Sequence, residues 1–192
     1  MTLNLPIAAP IGDATVDSRE RLERAIKNDY RLIWRLLRRL GVPAGAADDA
    51  AQEVFLVLAE RLPDIRENAE RSFAFGTAIR VAHSARRRHA RERVVTEQEG
   101  EVVVHSPLPG PDELSDQKRA RELLNRVLDA MPFDLRTVFI LFELEGLRSP
   151  EIAELVGVPL GTVASRLRRA RESFRALVAE HTPALSLRGE EP

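Results

Sequence analysis

Apolar residues recur every three or four positions through most of this chain, which is helical spacing. Leu22, Ala25, Ile26, Ile33, Leu36, Leu37 and Leu40 form one stripe, and Gly41 is a suitable C′ residue ahead of Pro43. Asp48 or Asp49 can cap a second helix whose stripe is Ala51, Val54, Phe55, Leu58 and Leu62, ending at Pro63. A third helix is expected from about Ala69 to Arg93, with Phe73, Ile79 and Val81 among its apolar members. The period then breaks. Gly100, Pro107, Pro109, Gly110 and Pro111 fall in Val94 to Ser115, where Val102, Val103 and Val104 have no visible strand partner. That stretch reads as a linker of about 22 residues, able to span roughly 70–80 Å when extended.

Helical spacing resumes near Asp116. Leu123, Leu124, Val127, Leu128 and Met131 stop before Pro132, and Val138, Phe139, Leu141, Phe142 and Leu144 lead to Gly146. The expected fold is all-α, with two small helical domains joined by a flexible linker. The boundaries are an N-terminal extension 1–20, a first module 21–93, the linker 94–115, a second module 116–180 and a tail 181–192.

The second module contains a helix-turn-helix pattern. Ser149 can cap, Pro150 suits the first helical position, and Glu151 favours the positive end of the helix dipole. Ile152, Leu155 and Val156 face inward, Ala153 is small enough for two helices to cross closely, and Gly157 sits where the turn needs a left-handed residue. A second helix is expected from about Gly161-Thr162, with the inward stripe Val163, Leu167, Ala170, Phe174 and Leu177. Its other face carries Ser165, Arg166, Arg168, Arg169 and Arg171. A helix fits the major groove, where arginine pairs bidentately with guanine or holds phosphate.

Charge sharpens this picture. The 192 residues carry a net charge of −1, but the charges are segregated. Arginines 80, 86, 87, 88, 91 and 93 stand against Glu92, and arginines 166, 168, 169, 171 and 175 against Glu172. Between the two blocks, Glu97, Glu99, Glu101, Asp112, Glu113 and Asp116 meet no lysine or arginine before Lys118. Two polyanion contacts on one chain are the functional reading; two solvated helix faces account equally well for the charge alone. The chain has no cysteine, which removes disulfides, thiolate metal sites and cysteine nucleophiles. No apolar run approaches the roughly 18 residues of a membrane span. Met1 to Asp17 lacks the cationic start and apolar run of a secretory signal, so no membrane insertion and a cytoplasmic location are expected.

The run from Gly146 through Ser149, Pro150, Glu151, Gly157, Gly161, Thr162 and Ser165 to Arg171 closely resembles region 4 of extracytoplasmic-function (ECF) sigma factors. Asp49-Ala-Ala-Gln-Glu-Val-Phe55 resembles that family's region 2 signature. The resemblance covers about Leu22 to Ala179. It implies an alternative sigma factor that binds core RNA polymerase through its clamp helices and flap and directs initiation at promoter DNA. It implies polymerase docking by Asp49, Gln52, Glu53 and Phe55. Reading and melting of the −10 element would fall to Arg80, His83, Ser84, Arg86, Arg87, Arg88 and Arg91, with Phe73 and Phe75 as nearby aromatics. Thr162, Ser165, Arg166, Arg168, Arg169 and Arg171 would read the −35 element. A cognate anti-sigma factor is an implied partner.

The chain departs from the family pattern at three places. Gly76 or Thr77 stands where a tryptophan is common, His83 or Ser84 replaces an asparagine with Arg86 after it, and Ala164 replaces a long polar residue. Two other readings remain: a helix-turn-helix regulator acting without polymerase, and a non-transcribing protein that titrates an anti-sigma factor. Enzymatic readings find no support. His83, His89, His105 and His181 are scattered, there is no glycine-rich phosphate loop, and Glu143 and Glu145 diverge about Leu144. No catalytic residue, metal or cofactor is expected.

Overall fold

The computed structural model describes residues 11–98 and 116–181, with side chains over 17–88 and 119–181. Seven α-helices run through the described residues: α1 Ile11–Arg39, α2 Ala47–Arg61, α3 Glu70–Gln98, α4 Asp116–Ala130, α5 Phe133–Phe139, α6 Ser149–Val156 and α7 Leu160–His181. No strand occurs among the described residues, and Val102 to Val104 lie outside them.

The first module packs α1, α2 and α3 around the stripes that the spacing marks. Ile33, Leu36, Leu37 and Leu40 meet Ala51, Val54 and Leu58, and small residues on α3 (Ala74, Ala78, Ala82) let that helix approach closely. Gly41 ends α1 with φ 95°, and the Val42 N–H donates to the Leu37 carbonyl at 3.0 Å, the 6→1 bond of a Schellman turn. The second module builds its core from Val127, Leu128, Val138, Ile140, Leu141, Ile152, Val163 and Ala170. Phe139 and Phe174 stack across it at 4.6 Å. After Phe139 the helix widens into a π turn, Ile140–Leu144.

Four boundaries differ from expectation. The helix reaches back to Ile11, so the second half of the expected 1–20 extension belongs to α1. Residues 12–20 carry almost no apolar stripe to reveal it. Just after this segment the helix is fixed by polar contacts: the buried Arg21 donates to the Ile65 carbonyl and to Glu70, both at 2.8 Å. Burial opposes it, but hydrogen bonds from the Glu70 backbone and from Arg21 hold the Glu70 carboxyl below its ordinary value. At the other end α3 continues to Gln98, past the expected linker start; residues 99–115 lie outside the described ones. At α6 the cap is Arg148, not Ser149, and α7 starts at Leu160, slightly before Gly161.

The two modules pack against each other. Helix α3 meets α6, and α1 meets α4. Arg39 on α1 pairs with Glu145, just beyond the π turn, at 2.7 Å. Phe133 lies 5.2 Å from the His83 ring and 5.6 Å from the Arg86 guanidinium. Arg136 is wholly buried at this seam and bonded to Asp129 at 3.0 Å, while its Nε has no partner among the described residues.

Candidate nucleic-acid and protein interfaces

The helix-turn-helix is assembled by local backbone chemistry. Glu151 accepts the Arg148 backbone N–H at 2.7 Å, closing the first turn of α6. The hydrogen bonds from the Arg148 side chain and backbone keep the Glu151 carboxyl ionised below its ordinary value. Gly157 takes φ 66°, ψ 38°, and the Val158 N–H donates to the Ala153 carbonyl at 3.1 Å. That left-handed residue turns the chain so that α7 crosses α6 with Val163, Leu167 and Ala170 buried.

The outward face of α7 is exposed at Ala164, Ser165, Arg168 and Arg169; Thr162, Arg166 and Arg171 are half-buried. Ser165 donates its hydroxyl to the Thr162 carbonyl at 3.0 Å. Arg166 pairs with Asp134 at 3.4 Å, Arg168 with Glu172 at 2.7 Å, and Arg171 with Glu143 at 2.7 Å while lying over the Phe142 ring. Among these arginines, Arg169 makes no ion pair with the described residues. Such partly exposed pairs are worth roughly 0–1 kcal/mol, so a phosphate or base edge can displace the carboxylate.

On α3, Arg80, His83, Ser84, Arg87 and Arg88 are exposed and Arg86 is half-buried. Arg91 lies on the same helix, beyond the described side chains. Arg80 donates to the buried Thr77 hydroxyl at 2.9 Å, which fixes it beside Gly76. Gly76 leaves room against Leu155 of α6, and a Cβ there would meet only ordinary contact at 3.6 Å. Phe75 is buried in the core, so of the two aromatics suggested for base capture only the half-buried Phe73 borders open space. It lines a groove of about 690 Å³ with Gly76, Arg80 and Leu155.

The outer face of α2 presents Asp49, Gln52 and Glu53 to solvent. Phe55 does not join them. It is 6% exposed and stacks on Tyr30 at 5.9 Å, because it lies four residues after Ala51 and three before Leu58, within the core stripe. The exposed apolar side chain is its neighbour Leu56, 66% exposed, four residues after Gln52 and three after Glu53. The same spacing rule that marks the core could have found Leu56. Tyr30 donates to Asp48 at 3.1 Å, and burial together with that bond raises its phenol above the usual value.

No group of three or more His, Asp or Glu side chains converges as metal ligands among the described residues. No helix among them is long and apolar enough to cross a membrane.

Comparison with known proteins gives matches over both modules. The family model "Sigma-70 region 2" matches residues 25–92 and "Sigma-70, region 4" matches 121–174. The ferric citrate uptake sigma factor FecI of Escherichia coli is 34% identical over 128 residues, 66% of this chain and 72% of that protein. The ECF RNA polymerase sigma-E factor of Escherichia coli is 31% identical over 141 residues, 69% and 74% of the two chains. The ECF RNA polymerase sigma factor SigE of Mycolicibacterium smegmatis is 26% identical over 179 residues, 92% and 70%. Two solved structures share the fold: CnrH bound to the cytosolic domain of CnrY, at TM-score 0.65, 17% identity and 88% and 95% coverage; and the sigma factor RpoE bound to the anti-sigma factor NepR from Bartonella quintana, at 0.62, 20%, and 82% and 96%.

Proposed function

Because this chain belongs to the extracytoplasmic-function sigma factors of the sigma-70 family, we infer that its two modules divide the work of an alternative sigma factor, each gripping a different part of the initiation complex. The first module docks on core RNA polymerase through the α2 face of Asp49, Gln52, Glu53 and Leu56. An exposed leucine ringed by carboxylates and an amide has the mixed apolar and polar character of a protein interface. Phe55 supports that face from beneath.

Helix α3 then opens the promoter at −10. Arg80, Arg86, Arg87, Arg88 and Arg91 supply cations to the backbone, His83 and Ser84 reach bases, and the groove beside Phe73 receives an unstacked base. The second module reads −35 with Thr162, Ser165, Arg166, Arg168, Arg169 and Arg171 in the major groove. Sigma factors are not enzymes. The polymerase supplies the chemistry, and no residue of this chain is assigned a catalytic role, cofactor or metal. The cytoplasm, where polymerase meets the chromosome, is its working place. An anti-sigma factor is its partner in turn, since both structural neighbours are held in complexes, one of them with a named anti-sigma factor.

The observation that carries the division of labour is the combination in one chain of the α2 docking face with a helix-turn-helix whose outward side is basic. Reconstitution with core polymerase and genomic fragments, followed by mapping of transcript starts, tests it. Glu53→Lys should lower polymerase co-purification while leaving the helical spectrum unchanged; wild-type recovery of polymerase would remove Glu53 from the interface.

A further inference from the structure

We propose that Leu160 and Ala164 form an apolar strip on α7 that packs against thymine C5 methyl groups in the −35 element, so that this sigma factor reads part of that element by shape and hydrophobicity. The inference rests on α7 being the −35 helix. Leu160 is the first residue of α7 and is 51% exposed, one of three large apolar side chains so exposed among the described residues; the other two, Ile26 and Leu56, belong to the first module. It lies one turn before the exposed Ala164 and two turns before Arg168, on a single i, i+4, i+8 row of the helix. Gly161 beside it carries no side chain, and a Cβ there would meet nothing within 4 Å, so the backbone around Leu160 is open to close approach.

The polar groups nearby narrow the ligand. Ser165 spends its only hydrogen on the Thr162 carbonyl, leaving acceptor lone pairs outward. Arg168 is held by Glu172 one turn further on. The Leu160–Ala164 row therefore lacks the forked donors that read guanine and the amides that read adenine, since Arg166 stands on another side of α7 and is paired with Asp134, and it offers methyl and methylene surface instead. Only thymine presents an apolar group on its major-groove edge. The surrounding arginines bring the helix to the phosphates, and the strip then meets the base edges. Ala164 is short enough to let the helix lie close, where a long side chain would hold it away.

The test uses holoenzyme reconstituted with core polymerase on synthetic duplexes of a promoter mapped from its own transcript starts. Each −35 thymine is replaced in turn by deoxyuridine, which removes only the methyl, and the concentration of holoenzyme needed for half-maximal open complex is measured. Replacement at one or two positions should weaken binding about fourfold each, the factor for burying one methyl-sized group. Leu160→Ser should lose a similar factor on the thymine promoter and become indifferent to the methyl at one of those positions, and Leu160→Met should retain the preference. Wild-type indifference at every position, an element without thymine, or undiminished methyl sensitivity in Leu160→Ser would each overturn the proposal. If Leu160→Ser instead loses affinity for core polymerase, the leucine belongs to a protein contact and the proposal fails. Absence of any transcript from the wild type would sink the −35 reading itself, and this inference with it.

Discussion

Replacing Arg39 by methionine should loosen the closed arrangement of the two modules. Arg39 is 23% exposed and Glu145 only 5%, and their 2.7 Å contact is the one ion pair among the described residues that joins α1 to the far module. Burial already raises the Glu145 carboxyl above its ordinary value, against the opposing pull of Arg39 and, more weakly, Arg35. Removing one partner of a buried pair costs about 3–5 kcal/mol. Here Arg35 still favours the carboxylate and Arg39 is partly hydrated, so a deficit of about 2–3 kcal/mol at neutral pH is expected. The deficit has a ceiling: once it exceeds what the seam is worth, the modules part and Glu145 is hydrated.

The sign with pH follows from the raised value. A carboxyl with a folded pKa above its unfolded one is neutral in both states below the unfolded pKa. Its burial penalty grows as pH rises through the folded value. Arg39→Met raises that value further, so the variant should regain closure as pH falls through the raised value toward the ordinary carboxylate range. The chain has no cysteine, so Glu67→Cys and Ala176→Cys, both exposed, give unique labels for fluorescence transfer between the modules. Transfer should fall in Arg39→Met at pH 7 and recover on acidification. The double variant Arg39→Met/Glu145→Gln should restore much of the closure, because no charge is then left buried. Equal transfer in wild type and single variant, or a double variant as open as the single one, would refute the argument.

Phe55→Ala should destabilise the first module by about 3–5 kcal/mol in denaturant melts, whereas Leu56→Glu should leave the melt unchanged and abolish co-purification with polymerase. Gly157→Ala should lose about 1–2 kcal/mol from its left-handed backbone alone, since its Cβ would meet nothing within 4 Å. Calorimetry should read that as a drop of roughly 2–8 °C. Arg169→Ala should weaken promoter binding by about 1–3 kcal/mol and more than Arg171→Ala, because Arg171 is shared with Glu143; titrations of holoenzyme on labelled promoter would show the order.

The helix-turn-helix was legible because its determinants are local. Gly157, the Val163, Leu167 and Ala170 spacing and the arginines between them act within one or two turns, where sequence order and spatial order agree. Residue type alone favours Phe55 as the apolar docking contact, whereas the helical period turns Leu56, about 100° further round α2, out of the core stripe that holds Phe55. The start of α1 is hidden for another reason: residues 12–20 carry almost no apolar period, and the polar anchor that follows them, Arg21, reaches Ile65 and Glu70, more than forty residues away. The contact between modules is equally hidden, since Arg39 and Glu145 lie 106 residues apart and neither stands out among its sequence neighbours.

At the seam, Gly41 leaves room for two guanidiniums: a Cβ there would strike both Arg136 and Arg86. Burial and the charge of Arg86 push Arg136 down to about 10, and Asp129, 60% exposed, is the carboxylate that answers them. The joint thus sets two guanidiniums against one exposed carboxylate, a repulsion at its centre that the Arg39–Glu145 pair offsets from the side. Salt loosens every arginine–phosphate contact. The two places answer salt unequally: the exposed guanidiniums of α7 lose phosphate first, while the buried charges of the seam are screened much less.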